Sequence, residues 1–288
     1  MNKIPVVIIH EGYKEYLKIN LEITGKNNKI YLIGDKSVKC LERLHNVTFV
    51  DINNYRNHSQ IKNLHKHFIN YSSNNAYFEW ICFQSVFILE LFMKGFNIPS
   101  LFHVDSDNIL LHDINTYQFT KNIAYCCCKN YHTNRMSNSI HCGRLNIEFC
   151  KEFKQLYKDI YVNKSKYNLI EDKIKFHSGS NGAYINGGIC DMTLYYLLAN
   201  EKLCDVQNLL NYNNGYVFIN NINNGEGDLS KEQYLLQNNI IKVSKNSTNK
   251  KNLIYDKINN KEIYIFNIHF QGGAKILLNE TLKNNIIY

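Results

Sequence analysis

The chain contains no Cys-x-x-Cys pair, although it carries nine cysteines in 288 residues. Without spaced pairs there is neither a zinc-ribbon pattern nor a disulfide framework. The consecutive Cys126, Cys127 and Cys128 of IAYCCCKN read as small buried hydrophobes in a reducing compartment, and zinc is not expected. Runs of basic residues are also missing. The 33 Lys and Arg against 25 Asp and Glu give a formal charge of +8, but the lysines are scattered, so no nucleic-acid partner is expected. A diffuse positive field suits anionic ligands such as nucleotide diphosphates, and equally suits nothing in particular. No internal repeat appears, and no linker richer than Asn-Gly loops, so one domain spanning 1–288 is expected. The opening apolar run, in MNKIPVVIIHEGYKEY, is broken by charge too soon for a signal peptide or an anchor. No other segment is expected to reach membrane-spanning length, which points to a cytoplasmic protein.

What is present alternates between two periods. IPVVIIH (4–10) is a continuous apolar, β-branched run of the kind that forms a strand buried on both faces. Tyr13, Tyr16, Leu17, Asn20, Leu21 and Thr24 recur at helical spacing, Gly25 supplies a stop, and KIYLIGD (29–35) gives a second strand. VTFVDI (47–52) gives a third. AYFEWICFQSVFILELFMKGF (76–96) is apolar almost all round, so it should be a buried helix ended by Asn97, Ile98 and Pro99. The second half reads as strand IAYCCCK, helix NIEFCKEFKQLYKDIYV, strand GAYINGGI and helix DMTLYYLLANEKL with Asp191 as its N-cap. After these come strand GYVFIN, a helix opened by a Ser230–Gln233 capping box, and a late strand, EIYIFNIHFQGGAK, that breaks into a glycine-rich loop. The fold class is therefore α/β: a central, mostly parallel sheet flanked by helices.

One stretch stands out. SLFHVDSDNILLHDIN (100–115) runs a hydrophobic strand into Asp105 and Asp107, whose side chains project to the same side wherever the chain is extended. Two carboxylates held together repel unless a cation lies between them, and hard oxygen donors favour Mg²⁺ or Mn²⁺. At the carboxyl end of a central strand they also stand where open α/β sheets bind ligands.

HVDSDNILLHDI resembles the DxD motif of GT-A fold glycosyltransferases, a Rossmann-like superfamily, and His269-Phe270-Gln271-Gly272-Gly273-Ala274-Lys275 is similar to the H-x-x-G-x-x-K element of the glycogenin-like family eight transferases. The resemblance implies that Asp105, Asp107 and His269 bind Mn²⁺ or Mg²⁺. It implies further that Lys275 and the amides of Gly272 and Gly273 face the phosphates of a nucleoside-diphosphate sugar, with Ser106 beside them. Asn186 and Gly187 match, more loosely, a turn that contacts sugar. The nucleotide-binding half would be 1–115, with His10 to Tyr13 near the base and Asp35 on base or ribose; 116–288 would bind the acceptor. An inverting pathway would need a base, Asp191 first, then Asp228 or Glu226, whereas a retaining one would let the departing phosphate take the proton. The chain departs from family eight where Ile276-Leu277 replaces Pro-Trp and Glu226-Gly227-Asp228 stands for Asp-Gln-Asp. Stereochemistry therefore stays open.

The expected activity is hexose transfer from a UDP-sugar, or second a GDP-sugar, to a hydroxyl of a glycan, lipid, protein or small molecule, in a host's cytoplasm if the source is viral. Two rivals remain: a nucleotidyltransferase acting on a sugar phosphate, and a decayed sugar-nucleotide or glycan-binding module.

Overall fold

A computed structural model describes residues 3–128, 134–179, 187–222, 230–237, 240–248, 251–276 and 278. β1 (Val6–His10) has Val6, Val7 and Ile8 wholly buried, as a strand covered on both faces requires. α1 (Glu15–Thr24), β2 (Ile30–Gly34) and β3 (Val47–Asp51) follow as the pattern predicts. Two short helices, α2 (Asn53–Arg56) and α3 (Ser59–His65), lead to α4 (Ala76–Gly95), where the Asn75 side chain accepts from the backbone N–H of Tyr77. Beyond α4, Asn97 takes φ 52°, a left-handed turn that asparagine tolerates, and proline stops the helix from resuming.

β4 (Ser100–Val104), β5 (Asn108–Leu110), β6 (Ile123–Cys126) and β7 (Ser139–Asn146) precede α5 (Ile147–Tyr157), α6 (Asn168–Gly179), α7 (Asp191–Asn200) and β8 (Val206–Asn208). The remaining elements are β9 (Tyr216–Val217), α8 (Ser230–Gln233), β10 (Leu236–Gln237), β11 (Ile240–Ile241), β12 (Val243–Lys245), β13 (Asn252–Asp256), β14 (Lys261–Ile265) and β15 (Asn267–His269), then a 3-10 turn, Gly272–Ile276.

Several expectations need correction. Residues 187–189, the described end of GAYINGGI, are not a strand: Gly187 and Gly188 take φ 98° and 68°, outside the extended range of a strand. Cys190, not Asp191, is the N-cap of α7; its backbone N–H meets Thr193 Oγ1 at 3.4 Å, and Asp191 becomes the first helical residue. The capping-box segment folds only one turn, α8. α4 does reach membrane-spanning length and hydropathy, yet most of that window is buried within the protein, so it is a core helix.

The main sheet is seven-stranded, in the order β3-β2-β1-β4-β7-β6-β8. β1 pairs in parallel with β2 from Val6↔Ile30 to His10↔Gly34, and with β4 at Val6↔Phe102 and Val7↔His103; β6 and β7 are antiparallel. By contacts the chain forms two compact units, one of Met1–Val50, Phe102–Phe119 and Asn208–Tyr288, the other of Asp51–Leu101 and Thr120–Gln207. The first holds the parallel β1–β2 edge, the sheet β12-β13-β14-β9 and the ribbon β15-β5, over a core that includes Ile109, Ile265, Ile268 and Phe270. The second is built on aromatic packing: Phe83 and Phe87 of α4 meet Phe153 and Tyr157 of α5 edge-on or tilted, and His65 stacks on Trp80 at 4.4 Å.

Candidate metal centre

His10, Gly34 and Val104 end β1, β2 and β4 at the carboxyl edge of the parallel strands, the edge at which α/β sheets bind ligands. After Val104 the chain turns at once, the N–H of Asn108 donating to the carbonyl of Asp105 at 3.0 Å. β5 then pairs with β15, setting His269 opposite Asn108, and the N–H of Phe270 donates to the carbonyl of Asp107 at 2.9 Å. This ribbon brings a histidine from late in the chain onto the aspartate turn.

The turn hangs from α1 through buried polar groups at helical spacing. Asn20 Nδ2 faces the carbonyls of Asp105, Ser106 and Asn108 at 3.3, 3.0 and 2.9 Å. Its Oδ1 accepts from Thr24 Oγ1 at 2.7 Å, and Thr24 Oγ1 accepts from the N–H of Leu110 at 3.1 Å. Asn28 continues the ladder beyond the helix, donating to the carbonyl of His112 at 3.0 Å and accepting from the N–H of Ile114 at 2.9 Å. Asn20 and Thr24 are wholly buried, where unpaired polar groups would be costly. In the sequence Asn20 and Thr24 stand out only by their helical period; the signal of their role is that they are polar residues four apart on a helix face otherwise turned to the core.

Asp105, Asp107 and His269 each offer a ligand atom, all within 4.8 Å of one another. Asp105 is half-exposed, and its Oδ1 lies 3.3 Å from His103 Nε2. Asp107 is buried: His269 Nε2 stands 3.4 Å from its Oδ1 and Lys275 Nζ 2.7 Å from its Oδ2. Burial pushes the Asp107 pKa up, but the bonds and charges of His269 and Lys275 outweigh that and hold it well below the ordinary carboxylate range. The converse holds for His269 and Lys275. Burial alone would lower each, and Asp107 raises both above their usual values.

His269 Nδ1 faces the carbonyl of Asn220, which only an N–H can satisfy, so Nε2 is the nitrogen left to face the carboxylates: as an N–H donor to Asp107 without metal, and as the atom that would ligate a cation in its place. Two carboxylates and an imidazole are a fitting donor set for Mn²⁺ or Mg²⁺.

Around this cluster the other expected residues take varied places. Lys275 Nζ also lies over the Tyr16 ring, 5.6 Å from its centre. Gly272 takes φ 58°, and a Cβ at Gly272 or Gly273 would meet nothing within 4 Å, so this turn is open to a ligand. His10 sits edge-on to Tyr16 at 5.8 Å; burial lowers its pKa, and its buried Nε2 has no hydrogen-bond partner among the described residues. Asp35 accepts from the N–H of Gly12 at 3.3 Å and from the N–H of Ser37 at 3.1 Å, tying the His10–Tyr13 loop to the end of β2. Tyr13 is exposed, its hydroxyl 2.9 Å from Glu15 Oε2. Ser106 presents its carbonyl to Asn20.

Gly187 and Asp191 belong to the second unit. Gly187 is packed so that a Cβ would touch Ile174 at 3.0 Å. Asn186, Glu226 and Asp228 lie outside the described residues.

No family profile and no curated protein matches the chain. Solved structures that resemble it include glycosyltransferases. Mouse xyloside xylosyltransferase 1 in its apo form is 12% identical over 73% of this chain and 85% of its own, with a TM-score of 0.48. The PaToxG glycosyltransferase is 14% identical over 69% of each chain at 0.40, and a glycosyltransferase involved in glycosylating the major capsid of PBCV-1 is 7% identical over 74% and 84% at 0.36.

Proposed function

We propose that this chain is a metal-dependent glycosyltransferase of the GT-A type, transferring a hexose from a nucleoside-diphosphate sugar, UDP-sugar first and GDP-sugar second, to an acceptor hydroxyl. The observation that carries the reading is the convergence of Asp105, Asp107 and His269, with Lys275 2.7 Å from Asp107, at the carboxyl edge of parallel strands. Asp105, Asp107 and His269 would hold Mn²⁺ or Mg²⁺, which when bound supplies charge to a diphosphate leaving group. Lys275 is placed to move from Asp107 to a phosphate oxygen, adding a second positive charge where negative charge develops. Gly272 and Gly273 let backbone amides approach those oxygens. His10, whose buried Nε2 has no partner among the described residues, would hydrogen-bond the nucleoside, while Asp35 and Tyr13 shape the loop beside it.

Asn186 and Gly187 are assigned to the sugar, and Asp191 or Asp228 to the base of an inverting pathway. The acceptor is a glycan, lipid, protein or small molecule, and the setting is a cytoplasm, a host's if the source is viral.

The test is a donor screen: UDP- and GDP-sugars with Mn²⁺ or Mg²⁺, with and without chelator, following nucleoside diphosphate release. Slow hydrolysis of one donor that stops with chelator and with Asp107→Asn supports the proposal. Absence of binding and release under every metal condition, or pyrophosphate release from a nucleoside triphosphate instead, overturns it.

A further inference from the structure

No cysteine pair in the sequence is spaced for zinc. In the second unit the fold nevertheless brings Cys126 of β6 together with His141 and Cys142 of β7. Cys126 Sγ lies 3.5 Å from His141 Nε2 and 3.8 Å from Cys142 Sγ, and all three side chains are buried. Neither Cys126 nor Cys142 is in a disulfide.

An irregularity in the ladder makes this possible. Adjacent residues of a strand point to opposite faces, so His141 and Cys142 could not both reach Cys126 from a regular β7. The pairing jumps from Tyr125↔Gly143 to Cys126↔Ser139, which leaves Ile140, His141 and Cys142 extra against β6. Such bulges re-aim side chains.

Three further features suit a metal. Around a tetrahedral zinc ion, sulfur and nitrogen ligands at their usual bond lengths stand about 3.8 Å (S to S) and about 3.5 Å (S to N) apart, which are the spacings of Cys126 Sγ from Cys142 Sγ and from His141 Nε2. His141 Nδ1 is 3.0 Å from Ser139 Oγ, a partner that can fix the ring with Nε2 as the ligand nitrogen. Two thiolates would neutralise a divalent cation inside an apolar strand pair, so the complex carries no net buried charge.

We infer that Cys126, His141 and Cys142 form a binding site for a thiophilic divalent cation, zinc being the first to test, that clamps β6 to β7. On binding, the two thiols become thiolates and release two protons to solvent; no electron is transferred. Affinity should therefore rise with pH.

The experiment uses the full chain carrying Asp107→Asn, purified under reducing conditions without chelator, so that the carboxylate site does not contribute. Elemental analysis after gel filtration should find about one zinc per chain, and Co²⁺ loading should give the thiolate-to-cobalt charge-transfer band that a carboxylate and imidazole site cannot produce. Both should be lost in Cys126→Ser and Cys142→Ser and kept in Cys40→Ser, whose cysteine is exposed. Removing zinc from the folded protein should lower its melting temperature, a readout that does not depend on either substitution folding. A protein that takes up neither zinc nor the cobalt band overturns the inference. So does thiol titration showing Cys126 and Cys142 joined as a disulfide in the purified, metal-free chain.

Discussion

Each unit buries one carboxylate between two cations, and the two sites are built differently. Glu90, in the middle of α4, receives Lys94 at 2.6 Å on one oxygen and Lys154 of α5 at 2.5 Å on the other. Burial pushes its pKa up, yet the two lysines outweigh that and hold it below the usual glutamate range. Asp107 is held in the same way by His269 and Lys275, but a second carboxylate, Asp105, converges on the same spot beside an open glycine turn. The Glu90 cluster is closed: each oxygen has its lysine, and helices supply all three residues. The Asp107 cluster carries one more anion than stability calls for, and the unfavourable proximity of two carboxylates is what a cation would relieve. A buried ion pair is thus architecture where its partners are matched, and a site where donors exceed what folding requires.

The sharpest way to break the comparison is to remove each carboxylate in turn. Asp107→Asn should cut metal-dependent donor turnover by at least about 100-fold, measured as nucleoside diphosphate release. Glu90→Gln should leave turnover of the folded enzyme unchanged while lowering unfolding free energy by about 3 kcal/mol in urea melts, because Lys154 is left in a largely covered position. Equal activity losses in the two variants would sink the distinction.

A smaller effect sharpens it. Asn20→Ala, which strips the loop of its clamp without touching the ligands, should weaken Mn²⁺ binding by about 10-fold, read by titration. Unchanged affinity would make the ladder a folding device alone. Smaller still is the pH effect. The folded Glu90 pKa is depressed, so its contribution is complete above the unfolded glutamate pKa of about 4.3 and fades as pH falls through the lower folded value. The stability gap between wild type and Glu90→Gln should therefore be constant near neutrality and close in acid. A gap that persists after Glu90 is protonated in the folded protein would show that packing, not charge, sets it.

Period and composition exposed the strands β1, β2 and β4 and the core helix α4, because burial on both faces leaves an unbroken apolar run. The same logic found β9 within GYVFIN and β14 and β15 within EIYIFNIHFQGGAK, but it missed β10 to β13, whose runs of two to five residues carry little period. It also failed at Gly187 and Gly188, which take positive φ and where a Cβ would meet Ile174 and His177. Asp105, Asp107, His269 and Lys275 were legible because strand end, spacing and glycine turn all pointed one way. Asn20, Thr24 and Asn28 were not, since a buried amide shows its purpose only through the carbonyl it meets. Cys126, His141 and Cys142 were hidden for a related reason: a bulge has no fixed sequence signature.

The amide ladder has an evolutionary consequence. Asn20, Thr24 and Asn28 grip main-chain carbonyls and N–H groups between Asp105 and Ile114, never the side chains there. Residues in this segment can therefore be exchanged without loosening its attachment, so new ligand sets or donor preferences could be grafted onto an unaltered helix, with drift in one element needing no matching change in the other.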